Sequence, residues 1–314
     1  MIQEKDEYIH EYKRGKDWIE SFTINFIDKK NKFFGFADID YRFSKNIIEF
    51  TWLLLINGNK FEYNNQIKFD ENGRKKKIAD GNNYVYEILT PFDNFELSLN
   101  NDYIKSKFNI SGIFPIYFFT PQRANSPSDQ KLLKEIQLWE QYEQRCKITG
   151  TATIIDGKDK GLEKKINCFG QREHSWGKRY IDKITCLSRI SIQFRDMAML
   201  LTYIELDGAQ FSRGFVSRKS GNIPIQNIDF ESISLNQNKQ SSTSTEFSYK
   251  DAQDDLDLIV SKTIHSLQMP LPKNYKNKFI KLINYSDFTI IGTNKKGIGM
   301  EDHFISLEKL KSMD

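Results

Sequence analysis

The chain has 314 residues, enough for one large domain or two ordinary ones. Its 46 basic and 42 acidic residues nearly balance, which argues against a nucleic-acid partner held by a basic face. A charged fraction of 28%, with 17 Gly and 7 Pro, excludes a disordered chain, and 13% aromatic residues supply large rings for a core.

Three cysteines, Cys146, Cys168 and Cys186, have no CxxC spacing and no ligand-like histidine beside them. That pattern fits neither a disulfide framework nor a structural zinc site. The N-terminus shows no apolar secretory segment, and the longest apolar run, Trp52 to Ile56, is far short of the roughly 20 residues a membrane helix needs. The expectation is a soluble protein of the reducing cytoplasm, with at most a transient contact at a membrane surface.

In chain order, FTINFID, FGFADIDYRF, IIEFTWLLLI, YVYEIL and FELSLN form a first β set. Asn57-Gly58, Asn72-Gly73 and Asp80-Gly81 punctuate it as hairpin turns. SPSDQKLLKEIQLWEQ then predicts a helix, with Ser126 as N-cap, Pro127 at the first position and Leu132, Leu133, Ile136 and Trp139 at helical spacing. RCKITGTATII, KKINCFG, SRISIQF, MAMLLTYIEL and FSRGFVS begin a second β set, and residues 236–248, polar and low in complexity, predict a long loop. No βαβ rhythm is present, which excludes a parallel nucleotide-binding sheet. The resulting division is an N-terminal β domain over 1–125, a helical linker over 126–140 and a C-terminal β domain over 141–314.

Most motifs fail on spacing. GTNKKGIG (292–299) lacks the Gly-Lys-Ser/Thr ending of a phosphate loop, and DAQDDLDLI lacks the glycine of a calcium loop. His10, His265 and His303 stand isolated and read as surface or core histidines. The stretch GQREHSWGKR (170–179) is different. Strand alternation puts Arg172, His174 and Trp176 on one face and Glu173 and Ser175 on the other. These residues could form a site, with Glu173 in a salt bridge away from it. On the residues alone the alternative is the better supported: a core tryptophan beside a satisfied strand histidine, with Glu173 paired to Lys178 or Arg179. Tyr203 and Glu205 also share a face, on the next long apolar strand. If Glu205 points inward, desolvation would keep its carboxyl neutral and able to give up a proton.

WEQYEQRCKITGTATI followed by INCFGQREHSWGKR resembles the lipocalin-like hydratase group of carotenoid 1,2-hydratases, kievitone-type hydratases and fungal Diels–Alderases. The family's Gly-x-Arg-Asp-His-Ser-Trp-Gly run matches Gly170 to Gly177, with Glu173 in place of the aspartate. WIESFTINFID with GFADIDYRF resembles the N-terminal partner domain, and GIGMED (297–302) its closing strand. The resemblance implies an all-β protein of two lipocalin-like antiparallel barrels with an apolar pocket. Tyr203 and Glu205 match a tyrosine and an acid two residues on that the hydratases carry after the signature.

The implied activity is protonation of a carbon–carbon double bond in an isoprenoid-like or other apolar small molecule, giving a hydratase or a cyclase of secondary metabolism. Glu205 would be the general acid, with Tyr203 and His174 holding it or activating water. Trp176 would face the carbocation, a contact worth about 2 kcal/mol when desolvated, and Arg172 would border the substrate. No metal or organic cofactor is expected. The same scaffold also hosts lipid carriers and pericyclases, so both remain as alternatives.

Overall fold

The computed structural model describes residues 2–11, 18–69, 76–119, 139–179, 184–206, 209–236, 241–252, 256–269, 271, 275 and 278–311. It divides into two compact units, residues 1–179 and 180–314.

The first unit is an eleven-stranded antiparallel sheet. Its strands are β1 (Trp18–Asp28), β2 (Phe33–Arg42), β3 (Ile47–Ile56), β4 (Asn59–Lys68), β5 (Lys77–Ala79), β6 (Tyr84–Thr90) and β7 (Asn94–Asn100). They continue with β8 (Ile104–Gly112), β9 (Tyr117–Phe118), β10 (Trp139–Ile154) and β11 (Glu163–Lys178). The spatial order is β4-β3-β2-β1-β11-β10-β8-β7-β6-β5, with β9 on β10. Outer strands show the alternation of a half-buried sheet: Phe95, Leu97 and Leu99 point into the core between more exposed neighbours. Asn57 and Gly58 take positive φ of 52° and 85°, which lets the β3–β4 connection turn in two residues. The central β1 is buried along its whole length, and β11 on both faces from Gly170 to Gly177. Phe22, Ile24, Phe26, Trp52, Tyr84 and Phe108 are among the rings and side chains that fill the core.

The second unit is a closed barrel of β12 (Ile184–Gln193), β13 (Ala198–Leu206), β14 (Ala209–Arg218), β15 (Gly221–Leu235), β16 (Ser242–Asp251), β17 (Leu256–Met269), β18 (Phe279–Ile290) and β19 (Lys296–Ser306). Pairing of β12 with β19, in register Ile190 to Glu301, closes it and removes both sheet edges. A short helix, Leu307–Lys311, follows.

The all-β class with two barrel-like sheets is therefore as the sequence implied. The division is not. It falls after Arg179 rather than at 126–140, because β10 pairs with β8 and β11 pairs with β1, which takes both strands into the first sheet. Turn signals mark where strands end but not which sheet they join, and β1 meets β11 across some 150 residues of chain. The helix expected over 126–140 falls mainly on residues outside those described; Trp139 and Glu140 are strand. The expected loop over 236–248 is strand from Ser242, where Thr245, Phe247 and Tyr249 alternate with more exposed residues.

Gly170 fixes how closely the central strands approach. A Cβ there would meet the Asn25 carbonyl, the Ile148 side chain and Phe26 Cβ. Gly170→Ala should lower stability by about 1–3 kcal/mol through overpacking, read as an earlier denaturant midpoint with an unchanged slope.

Candidate functional site

Alternation on β11 puts Arg172, His174 and Trp176 on the core face of the first sheet, with β1 on one side and β10 on the other. Register sets Phe22 and Tyr142 opposite His174, and Ile24 and Gln144 opposite Arg172. The three motif residues share one face, as expected, but in the first unit rather than in a C-terminal domain.

Arg172 is 2% exposed and carries a full charge into that core. The N-terminal segment brings the counter-charge. Glu7, 0% exposed, takes a two-pronged bond from the guanidinium: Nη1 to Oε1 at 2.8 Å and Nη2 to Oε2 at 3.1 Å. Nε donates to Gln144 Oε1 at 2.8 Å, and the plane lies 4.2 Å from the Phe95 ring centroid. Burial works against the charge, but the Glu7 carboxylate outweighs it and holds Arg172 well above its ordinary value.

His174 is wholly buried. Its ring stacks on Phe22 at 4.0 Å, and Trp176 lies 5.0 Å away. Nε2 is 2.8 Å from Glu20 Oε1, and Nδ1 is 3.3 Å from the Tyr142 hydroxyl. That hydroxyl has one proton, donated to Glu7 Oε1 at 2.6 Å, so Tyr142 presents lone pairs to His174 and to Arg172 Nη1. Each nitrogen of His174 thus faces an acceptor. Burial, only partly opposed by the Glu20 carboxylate, still holds its pKa below the ordinary value. A proton added to this ring is easily passed on.

Glu20 also collects the His10 ring through Nδ1 at 2.9 Å and the His10 backbone N–H at 3.0 and 3.1 Å. Burial raises the Glu20 pKa, but the hydrogen bonds and electrostatic attraction of the His10 and His174 rings pull it below the ordinary 4.5. The result is a continuous chain of polar contacts: Arg172, Glu7, Tyr142, His174, Glu20, His10.

His10 is the part of this chain nearest to solvent, with 19% of its side chain exposed, and its ring stacks on Trp176 at 3.9 Å. Trp176 Nε1 donates to Glu140 Oε2 at 2.7 Å. Around this end, Trp18, Tyr142 and Trp176 pack with Phe43, Phe92 and Phe118. His10, Glu20 and His174 also hold ligand-capable atoms within 4.8 Å of one another and so could hold a metal ion.

Glu173 faces the other way, as alternation requires, but it is buried rather than at the surface. That second face is polar too, and Glu143 there accepts from Gln141 at 2.6 Å and Gln171 at 2.7 Å.

Tyr203 and Glu205 belong to the second unit, on the inward face of β13, and the Tyr203 hydroxyl donates to Glu205 Oε2 at 3.4 Å. Lys309 Nζ lies 2.8 Å from the same oxygen, with 13% of the Glu205 side chain exposed. The expected apolar surroundings of Glu205 therefore include an ammonium group contributed from far along the chain. Burial and then the Glu205 charge push Tyr203 up to about 12.

Glu7, Glu20, Tyr142 and Gln144 were not singled out from the sequence, and His10, read there as isolated, meets Glu20 and Trp176. Glu20 left a signal: it interrupts the face Trp18, Phe22, Ile24, Phe26 of β1, an acid in phase with a core. Glu7 left none, because it precedes the first strand.

The chain belongs to the DUF7064 family, described only as a domain of unknown function, whose model matches residues 3–290. No curated protein matches the sequence. Among solved structures it is similar to CghA with Sch210972, with a TM-score of 0.66 and 8% identity over 93% of this chain and 89% of that one. It is similar to an AttH-type protein of Nitrosomonas europaea, with a TM-score of 0.65 and 11% identity over 91% and 92%. It is also similar to kievitone hydratase of Nectria haematococca, with a TM-score of 0.60 and 9% identity over 93% and 89%. The resemblance to the lipocalin-like hydratase group thus holds for the fold.

Two outcomes follow from the buried network. Glu7→Gln strands the Arg172 charge and should cost about 3–5 kcal/mol, while Glu7→Leu with Arg172→Met should recover much of that loss in equilibrium denaturation. Acid should also destabilise the protein. The folded pKa of Glu20 is depressed, so its contribution is complete above about 4.5 and lost as pH falls through the folded value. The folded pKa of His174 lies below the ordinary 6.5, so below about 6.5 the unfolded chain takes up that proton first, and stability falls there too. All four tryptophans lie in the first unit. Their fluorescence should give a midpoint that falls from neutral pH to about pH 4, with a shallower fall in His174→Gln.

Proposed function

We propose that this protein is a cofactor-independent enzyme that protonates a carbon–carbon double bond of an apolar, isoprenoid-like small molecule, releasing a hydrated or cyclised product. The observation that carries the reading is His174, a buried imidazole with an acceptor at each nitrogen and a depressed pKa, walled by aromatic rings. A proton entering at His10 would pass through Glu20 to His174, and His174 would deliver it to the alkene carbon. Trp18, Tyr142 and Trp176 would face the resulting cation with their rings. Opening of the His10–Trp176 stack would admit the substrate. Capture by water returns a proton to the relay and gives an alcohol; capture by a second double bond closes a ring and leaves a new cation, which loses a neighbouring C–H proton to the relay or adds water.

Glu205, with Tyr203 beside it, is then a supporting group rather than the acid, because Lys309 holds it in an ion pair. Arg172 keeps Glu7 and Tyr142 in place and does not touch the reacting carbon.

A non-catalytic lipid carrier is the second reading. One observation favours it: the His174 ring is wholly buried and Trp176 nearly so, as in a site closed by packing.

Turnover of a panel of apolar isoprenoid alkenes in deuterium oxide separates these readings. The expected result is one deuterium on a product carbon and a rate that falls as pH rises through the lowered His174 pKa. His174→Gln should lose about 10²–10⁴-fold in kcat with KM little changed, while Glu205→Gln keeps most of the rate. Tight binding without turnover would leave the carrier. A rearranged product free of deuterium, formed equally by His174→Gln, would point to a pericyclase.

A further inference from the structure

The lumen of the second unit's barrel holds a polar layer that the His174 relay does not use. Glu301 and His303 lie on the inward face of β19, in phase with Ile305. Glu301 Oε2 accepts the Thr245 hydroxyl at 2.6 Å. Strands β19 and β16 are not neighbours in the barrel, so this bond crosses the lumen. The same oxygen lies 3.0 Å from His303 Nε2, and His303 Nδ1 lies 2.9 Å from Ser188 Oγ. One apolar cluster, with Ile190, Phe247 and Phe288, lies beyond Glu301. Another, with Cys186, Leu282 and Ile305, lies beyond His303.

Glu301 Oε1, Asn284 Nδ2 and Ser286 Oγ in this layer have no hydrogen-bond partner among the described residues. All three residues are 0% exposed. Register sets Asn284 directly opposite Glu301, and Ser286 is the next inward residue on β18. The Asn284 Oδ1 is already taken by Ser266 at 2.6 Å, so its amide can only donate here. A carboxylate oxygen and an amide N–H left unpaired in an apolar interior are costly, and folded proteins almost always satisfy them. An unpaired acceptor facing an unpaired donor calls for one group that both donates and accepts. A hydroxyl or a neutral amine does so; a carboxylate cannot donate and would face Glu301 with like charge.

We propose that this barrel binds a small neutral apolar molecule ending in a hydroxyl or primary amine. The polar end donates to Glu301 Oε1 and accepts from Asn284 Nδ2, and the body lies against Ile190 and Phe288. The proposal does not rest on proton transfer at His174.

Titrating the full-length protein with 1-aminoanthracene, an apolar ring system with a neutral amine, tests it. Saturable one-to-one fluorescence enhancement is expected, displaced by long-chain alkanols and not by the matching alkanoates. Glu301→Gln and Asn284→Leu should each weaken binding about tenfold. Ser286→Ala breaks no hydrogen bond within the protein and should weaken binding severalfold in a chain that still folds. His174→Gln should bind as the wild type does. No saturable binding, or equal binding by all three barrel variants, overturns the proposal. So does loss of binding in His174→Gln, or ordered water alone bridging Glu301 and Asn284 in crystals grown with the alkanol.

Discussion

The buried pair of Arg172 and Glu7 is the constraint on which the first unit depends. A guanidinium among Phe95, Tyr142 and Cys146 is tolerable only with a carboxylate matched to both of its outer nitrogens and a further acceptor, Gln144, at Nε. Because Glu7 lies outside the sheet, the pair ties the N-terminal segment across β10 and β11. That tie delivers His10 to Glu20 and Trp176. The Phe92 backbone N–H, at 2.8 Å from Glu7 Oε2, extends it toward β7.

The same charge balance sets the chemistry of His174. Glu7 takes the Tyr142 proton, so Tyr142 has only lone pairs to offer the imidazole, and Glu20 completes the second acceptor. A histidine in an apolar core would otherwise sit inert and neutral. Here each ring nitrogen faces an acceptor while burial disfavours the added proton, a balance that holds its pKa below the ordinary value. The groups around His174 also carry charges buried at some cost, so the candidate site and the stability of the first unit draw on one network.

The second unit uses the same device differently. Closure of the barrel removes solvent from its lumen, and the Glu301–Thr245 bond spans it with a charged group. Burial raises the Glu301 pKa, but His303 and Thr245 outweigh it and keep the carboxyl below its ordinary value. Among the described residues, one oxygen of that carboxylate is satisfied and the other has no hydrogen-bond partner.

The sequence by itself determined the β class, the hairpin turn at Asn57-Gly58 and the shared face of Arg172, His174 and Trp176. These depend on local properties: the two-residue period of a strand and the positive φ a tight turn demands. It also carried the pairing of Tyr203 with Glu205, for the same reason. Only the tertiary structure decided that β11 lies between β1 and β10, because strand partners are chosen across long loops that leave no periodic mark. From that choice follow the unit boundary, Glu20 and Tyr142 as the neighbours of His174, and Glu7 as the counter-charge of Arg172. The partner of Glu205 was decided the same way. Its sequence neighbours are apolar, but Lys309, 104 positions later, folds back to bring Nζ within 2.8 Å of Oε2. Local alternation tells which residues share a face; what that face meets is set by contacts distant in the chain.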